Sequence, residues 1–476
     1  PAAAAPAPPQ PVSGAGDGPR PIHLVGIGGA GMSGLARLAV AAGYRVAGTD
    51  REDSDALDAL RAIGVDARVG HSAAAVGPDA AALVVSTAIA ADNPELAEAA
   101  RRGLPVMHRS ELLAELMAGR RGLAVAGAHG KSTTSAMLHA ALGDASACVG
   151  ATIAGGDGTG AVWGTGPWFV AEADESDRSL LNLAPEAAIL LNVDHDHHAT
   201  YASLDEVKEV FRAFVAALPA SGCLVAGPDP EARACAEAAP CEVRLVGDVP
   251  GAFCRVEREG ADTGFTLALT DGRRVAVPLA VPGRHNAENA ACALALADWC
   301  GVPLDAAAAR LAAFTGVGRR MEARGVAGGV TVVDDYAHHP AEIRATLQAA
   351  RERASGRVLV VFQPHLPSRT RALGAELGEA LGAADVAVVT DVYLAREPAD
   401  PAVTGRSVAD HVPGPARALY APALSEAAAA VVAEARPGDL VITMGAGDVT
   451  ALGQELVARL GKTSGDGSTH ERTAPA

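Results

Sequence analysis

Cationic residues are in the minority in this chain: 39 Lys and Arg face 56 Asp and Glu, for a formal charge of −17. A field of that sign disfavours nucleic acid or an anionic membrane as a bulk partner. Any phosphate site must then be assembled locally, from backbone amides and a few Lys or Arg. No apolar run is long enough to cross a bilayer, so no membrane insertion is expected. Cysteine is scarce as well. The seven thiols are odd in number and include no C-x-x-C pair. That argues against a disulfide framework and a cysteine zinc site, and suits buried free thiols in a reducing cytoplasm. Aromatics are only 3% of the residues, yet the hydrophobic fraction is 49%, enough for sizeable aliphatic cores. A chain of 476 residues is too long for one core, and roughly two to four domains are expected. Pro1–Pro19 lacks the basic and apolar segments of a signal peptide. Residues 1–20 and 463–476 are expected to be disordered tails.

What the chain does have is a glycine turn set between a strand and a helix. Leu123–Ala126 reads as a buried strand, Gly127-Ala128-His129-Gly130-Lys131-Ser132-Thr133 as the turn, and Thr134–Leu142 as the helix. Glycines let backbone N–H groups converge on phosphate oxygens, and the helix N-terminus adds partial positive charge. Lys131 would meet the β/γ-phosphates, and the hydroxyl of Ser132 or Thr133 a Mg²⁺. The spacing is tighter than G-x-x-x-x-G-K-[ST], since Gly127 lies only three residues before Gly130. On the motif alone, a βα turn with a solvated Lys is the competing reading.

The chain begins with a second glycine turn. Pro21–Gly28 is a strand ending in glycines, Ala30–Ala42 a helix and Tyr44–Thr49 a strand closed by Asp50. Gly26, Gly28 and Gly31 with an acid 22 residues after Gly28 form a dinucleotide-type fingerprint suited to a pyrophosphate. Alternating βα patterns continue to a boundary near Gly119. Beyond it, Trp168–Ala171 runs into the acids Glu172, Asp174, Glu175 and Asp177, and Ala187–Leu191 into Asp194, His195, Asp196, His197 and His198. Ligands of parallel α/β sheets bind outside the carboxyl ends of strands. Carboxylates and imidazole beside a phosphate cradle suit Mg²⁺; a zinc site at the histidines is disfavoured because no Cys joins them. Residues 220–280 suggest a small antiparallel element at Phe265–Leu269 and Arg274–Val277. Pro282–Asn289 opens an alanine-rich helix, where His285 and Asn289 serve equally well as caps. A third α/β unit follows a boundary near Thr315, with strands at Val330–Val333, Val358–Phe362 and Leu440–Met444. Arg residues collect at its strand ends, where they suit carboxylates and phosphates.

The ordered set GIGGAGMSG (Gly26–Gly34), STAI with NPEL (Ser86–Leu96), HRSELL (His108–Leu113), AGAHGKSTT (Ala126–Thr134), AEADESD (Ala171–Asp177), DHHATY (Asp196–Tyr201), PGRHNAENA (Pro282–Ala290), GVGRR (Gly316–Arg320), VDDYAHHP (Val333–Pro340), QPHLPSRT (Gln363–Thr370) and GAGDV (Gly445–Val449) resembles the Mur ligase family. The resemblance runs from about Ile22 to Arg459 and implies an α/β protein of three domains. These are a Rossmann-like N-terminal domain (21–118), a central P-loop ATPase-type parallel-sheet domain (119–314) and a Rossmann-like C-terminal domain (315–462). It implies a cytoplasmic ligase, monomer or weak dimer, that joins L-alanine to UDP-N-acetylmuramate through an acyl phosphate, with ATP and Mg²⁺ (or Mn²⁺) as cofactors.

By motif position the resemblance gives the UDP-sugar Gly28, Gly29, Ala30, Gly31, Met32, Ser33, Asp50, His71, Ser86, Thr87, His108 and Arg109, which replaces the dinucleotide reading of the first turn. ATP is given Gly127, His129, Gly130, Lys131, Ser132, Thr133, His285, Asn289, Asp335 and Tyr336, and the metal Ser132, Glu172 and His197. Lys131, His197, Arg319, Arg320 and His339 are the implied catalytic groups, with His197 and His339 both open as the acceptor of the amine proton. His365 and Arg369 are implied near L-alanine and the muramoyl carboxyl. Two departures from the family pattern stand out: Ala128 where Thr is usual, and Leu366-Pro367 where Arg-Tyr often follows the His. The second leaves room for an altered amino-acid preference; the nearest alternative is a peptide-recycling relative, against which the intact GIGGAGMSG and HRSELL stretches speak. An NAD-dependent dehydrogenase would leave Lys131, Glu172 and His197 unexplained.

Overall fold

The computed structural model describes residues 21–153, 158–197, 200–257, 264–395 and 397–465. The expected tail 1–20 and His198 lie outside them. So does 466–476, but the last helix, Leu452–Gly465, continues past the expected domain end at 462.

The first sheet has five parallel strands in the spatial order 66–69, 45–50, 21–25, 82–85, 106–108. Strand order reverses beside Pro21–Val25, which puts the first glycine turn at the crevice such sheets offer to ligands. The central sheet has seven strands in the order 242–245, 223–226, 187–190, 121–126, 168–172, 146–148, 161–162, parallel except for the last pair. Arg121–Ala126 therefore lies between Trp168–Glu172 and Ala187–Leu190. The three polar clusters read at strand ends share one rim. A small antiparallel sheet (254–257, 265–269, 274–277) follows. The C-terminal sheet has six strands in the order 322–327, 330–335, 440–444, 358–362, 386–389, 417–420, of which only the first is antiparallel to its neighbour.

Local sequence explains the element ends. Pro94, Pro340 and Pro367 open helices at first-turn positions, where a missing N–H costs nothing. Ser54, Asn93 and Ser203 accept hydrogen bonds from the first turns they cap. The helix expected from Thr134 starts at Lys131, because Gly130 takes φ +84° and turns the chain before the lysine. Elements between residues 204 and 245 were not anticipated: helices Leu204–Ala216 and Pro230–Ala236 and strands Cys223–Ala226 and Glu242–Leu245.

The cores divide unevenly. One apolar cluster runs without a break from Leu24, Leu35, Leu113 and Met117 of the N-terminal unit into Phe169, Leu180 and Phe211 of the central one. The C-terminal sheet has a separate core on each face.

Candidate functional site

The phosphate turn is held open by its surroundings. A Cβ on Gly127 (φ +138°) would stand 3.0 Å from Leu191 and 3.2 Å from the Asn192 amide, and one on Gly130 3.1 Å from the Asn289 side chain. Both positions therefore require glycine for space as well as for backbone conformation. Asn192 accepts from the His129 amide at 2.8 Å and donates to its carbonyl at 3.0 Å. Lys131 Nζ donates to the carbonyls of Gly127 (2.7 Å) and Ala128 (3.0 Å) and to Glu175 (2.9 Å). Burial works against its charge, but Glu175, Glu172 and Asp174 raise its pKa, so it stays an ammonium.

Of the two candidate hydroxyls, Ser132 is the one placed for a cation. Its Oγ donates to Glu172 Oε1 at 3.0 Å, and Glu172 Oε2 accepts from the Gly150 amide at 2.6 Å. Thr133 is buried. His197, at φ +56°, brings Nε2 to 3.3 Å from Glu175. Hydroxyl, carboxylate and imidazole beside a phosphate turn make a donor set that fits Mg²⁺ completed by phosphate oxygens.

The C-terminal unit reaches over this rim. His129 lies between Asp194 (Nε2, 3.2 Å) and Glu342 (Nδ1, 3.4 Å). Burial opposes its charge, yet the two carboxylates raise its pKa to about 9. The His129 and His339 rings stand 4.7 Å apart. His339 is pushed down by burial and by the His129 charge. Arg320 sits 3.4 Å from Glu342, and Arg369 makes a 2.6 Å buried ion pair with Asp196. Burial opposes the charge of Asp196, but Arg369 and His197 hold the carboxyl well below its usual range.

Other expected residues turn elsewhere. Arg319 bonds Asp334 and the Gly445 carbonyl. The Asp335 carboxylate accepts from the Met321 and Ala337 amides and from Thr346. Both groups thus shape the loop that carries Arg320. Tyr336 lies under Arg319 and Arg320, at 5.0 and 5.4 Å. His365 stacks on Tyr393 at 5.8 Å. A cleft of about 210 Å³ between the start of helix Arg284–Trp299 and helix Pro340–Arg353 is lined by His285, Glu288 and Gln348.

At the first glycine turn, Gly29, Ala30 and Gly31 stand exposed at the start of helix Ala30–Ala41, whose N-terminus no side chain caps. That is an anion cradle of backbone amides. Met32 is buried, so only its amide remains to offer, and Ser33 turns back into the helix, its hydroxyl donating to the Ala30 carbonyl and its amide to that of Gly29. Asp50 accepts from the Gly28 amide at 2.8 Å and the Arg51 amide at 2.7 Å, bracing the turn. Ser86 and Thr87 follow the neighbouring strand. His71 lies 3.2 Å from the buried Glu95, which also contacts His23 and Thr49. His108 caps helix Arg109–Ala118 and stands 3.4 Å from Asp177, while Arg109 pairs with Asp174 at 2.6 Å. Glu95 and Glu342 escaped the sequence reading, although Glu95 sits inside the quoted NPEL motif; Glu175 and Asp194 were read only as members of the strand-end clusters, with no role of their own.

The chain matches three family models: "Mur ligase family, catalytic domain" over residues 21–121, "Mur ligase middle domain" over 167–297 and "Mur ligase, glutamate ligase domain" over 319–447. It is 49% identical to a UDP-N-acetylmuramate–L-alanine ligase of Kineococcus radiotolerans, over 92% of this chain and 95% of that protein. Identity to the Streptomyces coelicolor protein of the same name is 47%, over 92% and 97%. Among solved structures it is similar to a UDP-N-acetylmuramate–alanine ligase of Thermotoga maritima, with TM-score 0.77 at 27% identity, covering 93% and 99% of the two chains. A murein peptide ligase of Psychrobacter arcticus gives TM-score 0.70 at 25% identity, with the same coverage.

Proposed function

The chain belongs to the Mur ligase family and is an ATP-dependent amide-forming ligase; from that premise we infer that it adds L-alanine to the lactyl carboxyl of UDP-N-acetylmuramate, with ADP and phosphate as by-products. The observation that carries this reading is the shared rim of three strands. Lys131-Ser132, Glu172 and the Asp194–His197 loop meet there, with Arg320, His339 and Arg369 brought over them. This is the first amino-acid addition to a peptidoglycan precursor, a reaction we assign to the cytoplasm and to a monomer or weak dimer.

The first-turn amides of Ala30, Gly31 and Met32 would take the UDP pyrophosphate, with His71, Ser86, Thr87, His108 and Arg109 around the sugar side. The cleft at His285 would take the adenine, and the phosphate turn the β- and γ-phosphates. Ser132, Glu172 and His197 would hold Mg²⁺, which when bound screens phosphate charge. The lactyl carboxylate attacks the γ-phosphorus, ADP leaves, and an acyl phosphate results. Two anions approach in that step, so the Lys131 and Arg320 cations stabilise the charge that develops. The alanine amine then attacks the acyl carbon and phosphate departs. His339 suits the amine proton, since burial keeps it neutral. Water would destroy the acyl phosphate, and the covering C-terminal unit excludes it.

Phosphate release from ATP tests the assignment, with UDP-N-acetylmuramate fixed and L-alanine, glycine, L-serine and an m-DAP-containing tripeptide supplied separately. Release should require UDP-N-acetylmuramate and L-alanine together. Release with the tripeptide alone would move the chain to the peptide-recycling reading.

A further inference from the structure

We propose that His129, Asp194 and His339 form a second metal site, built for a borderline transition-metal ion such as Zn²⁺, across the seam between the phosphate turn and the C-terminal unit. One ligand atom from each residue lies within 4.8 Å of the other two. His129 Nε2 is 3.2 Å and His339 Nδ1 3.6 Å from Asp194 Oδ2. Tetrahedral zinc with bonds of about 2.0–2.2 Å sets its ligands about 3.3 Å apart, so two of the three edges already fit. Two imidazoles with one carboxylate select zinc-like ions over Mg²⁺, which favours oxygen.

Two further observations point at a ligand. His339 is only 6% exposed, and its Nδ1, facing Asp194, has no hydrogen-bond partner. A buried ring nitrogen left unpaired is costly, and a bound cation would remove the cost. His129 has its other nitrogen 3.4 Å from Glu342. A metal would displace the Nε2 proton of the His129 imidazolium, and the carboxylate on Nδ1–H is the usual outer support of a zinc-bound histidine. The Asp194 side chain is 41% exposed, which gives an ion a way in and a fourth position to water. An ion held there ties two central-unit loops to the C-terminal unit, fastens the seam shut and takes the His339 lone pair that would accept the amine proton, so an occupied site is an inhibited one.

The site is distinct from Ser132, Glu172 and His197, and the test separates them. The full chain is titrated with Co²⁺ under excess Mg²⁺, and Zn²⁺ is then added as competitor. One equivalent of Co²⁺ should bind with four-coordinate nitrogen/oxygen visible bands and no thiolate charge-transfer band, and Zn²⁺ should displace it. His339→Ala and Asp194→Asn should abolish the bands, His197→Ala should retain them, and Glu342→Gln should weaken binding by about 10–100-fold. Circular dichroism checks each variant's fold, with His339→Gln replacing His339→Ala if that variant unfolds. Bands that survive loss of His339 and Asp194, bands lost in His197→Ala, or a six-coordinate spectrum would overturn the proposal.

Discussion

The central sheet is joined to its two neighbours in opposite ways. Toward the N-terminal unit the join is a continuous apolar core in which Met117 fills the space beside Gly122, where a Cβ would stand 2.8 Å from its methyl. A Cβ on Gly34 would already be in contact with Ala161, at 3.5 Å, so a larger side chain there crowds this seam. Toward the C-terminal unit the join rests on polar contacts: His129 with Glu342, His339 with Asp194 and Arg369 with Asp196. Separating an apolar seam exposes surface at about 25 cal/mol per Å², with nothing to replace the lost contacts. Ion pairs can instead be exchanged for water or for bound anions. The difference predicts that, in any domain closure, the C-terminal unit moves against a two-unit base held together by its apolar join.

The largest effect is expected from Arg369→Met, which leaves Asp196 as an uncompensated buried charge in the closed form. Breaking such a pair costs about 3–5 kcal/mol, so kcat/KM should fall by at least about two orders of magnitude. The melting temperature should barely change, because the polar seam can open and solvate Asp196. A parallel collapse of thermal stability would show that this seam is as permanent as the other. Gly34→Val should do the reverse. Overpacking at Ala161 costs about 1–3 kcal/mol, read as a lower melting temperature, with kcat changed less than about tenfold. Lost activity at an unchanged melting temperature would mean that the apolar seam also moves.

The same contrast explains what the sequence disclosed. Strands Arg121–Ala126, Trp168–Glu172 and Ala187–Leu190 are buried on both faces, so they read as apolar runs, and the polar residues after them announce one rim. Lys131 was legible because it follows a glycine turn in a chain with only three lysines. Contacts across the seam have no such signature. Arg369 and Asp196 are 173 residues apart, a separation at which no periodicity survives. Motif position alone also cannot say which way a side chain turns. Arg319 and Asp335 lie beside Arg320, but their polar atoms serve the loop that presents it. Helix Leu204–Ala216 does carry a helical apolar period, with Val207, Val210, Phe211 and Phe214 buried on one face, whereas the segments after it are too short for periodicity to separate helix from strand.

The smallest effect belongs to Glu95, a carboxylate sealed inside the N-terminal unit and so a control for the exchangeable ones on the polar seam. Burial works to raise its pKa, but hydrogen bonds from His23 and Thr49 outweigh it and hold the carboxyl below its ordinary value. A carboxylate depressed in the folded state stabilises above its unfolded pKa, about 4.3, and loses that contribution as pH falls through the folded value. Glu95→Gln should therefore cost about 1 kcal/mol near neutral pH, and the gap to wild type in melting temperature should close below about pH 4. Because Glu95 also steadies His71, KM for the UDP-sugar should rise while KM for ATP holds. If ATP affinity changed equally, the N-terminal unit would be coupled to the closing seam, and the base would not be the rigid body that its apolar join implies.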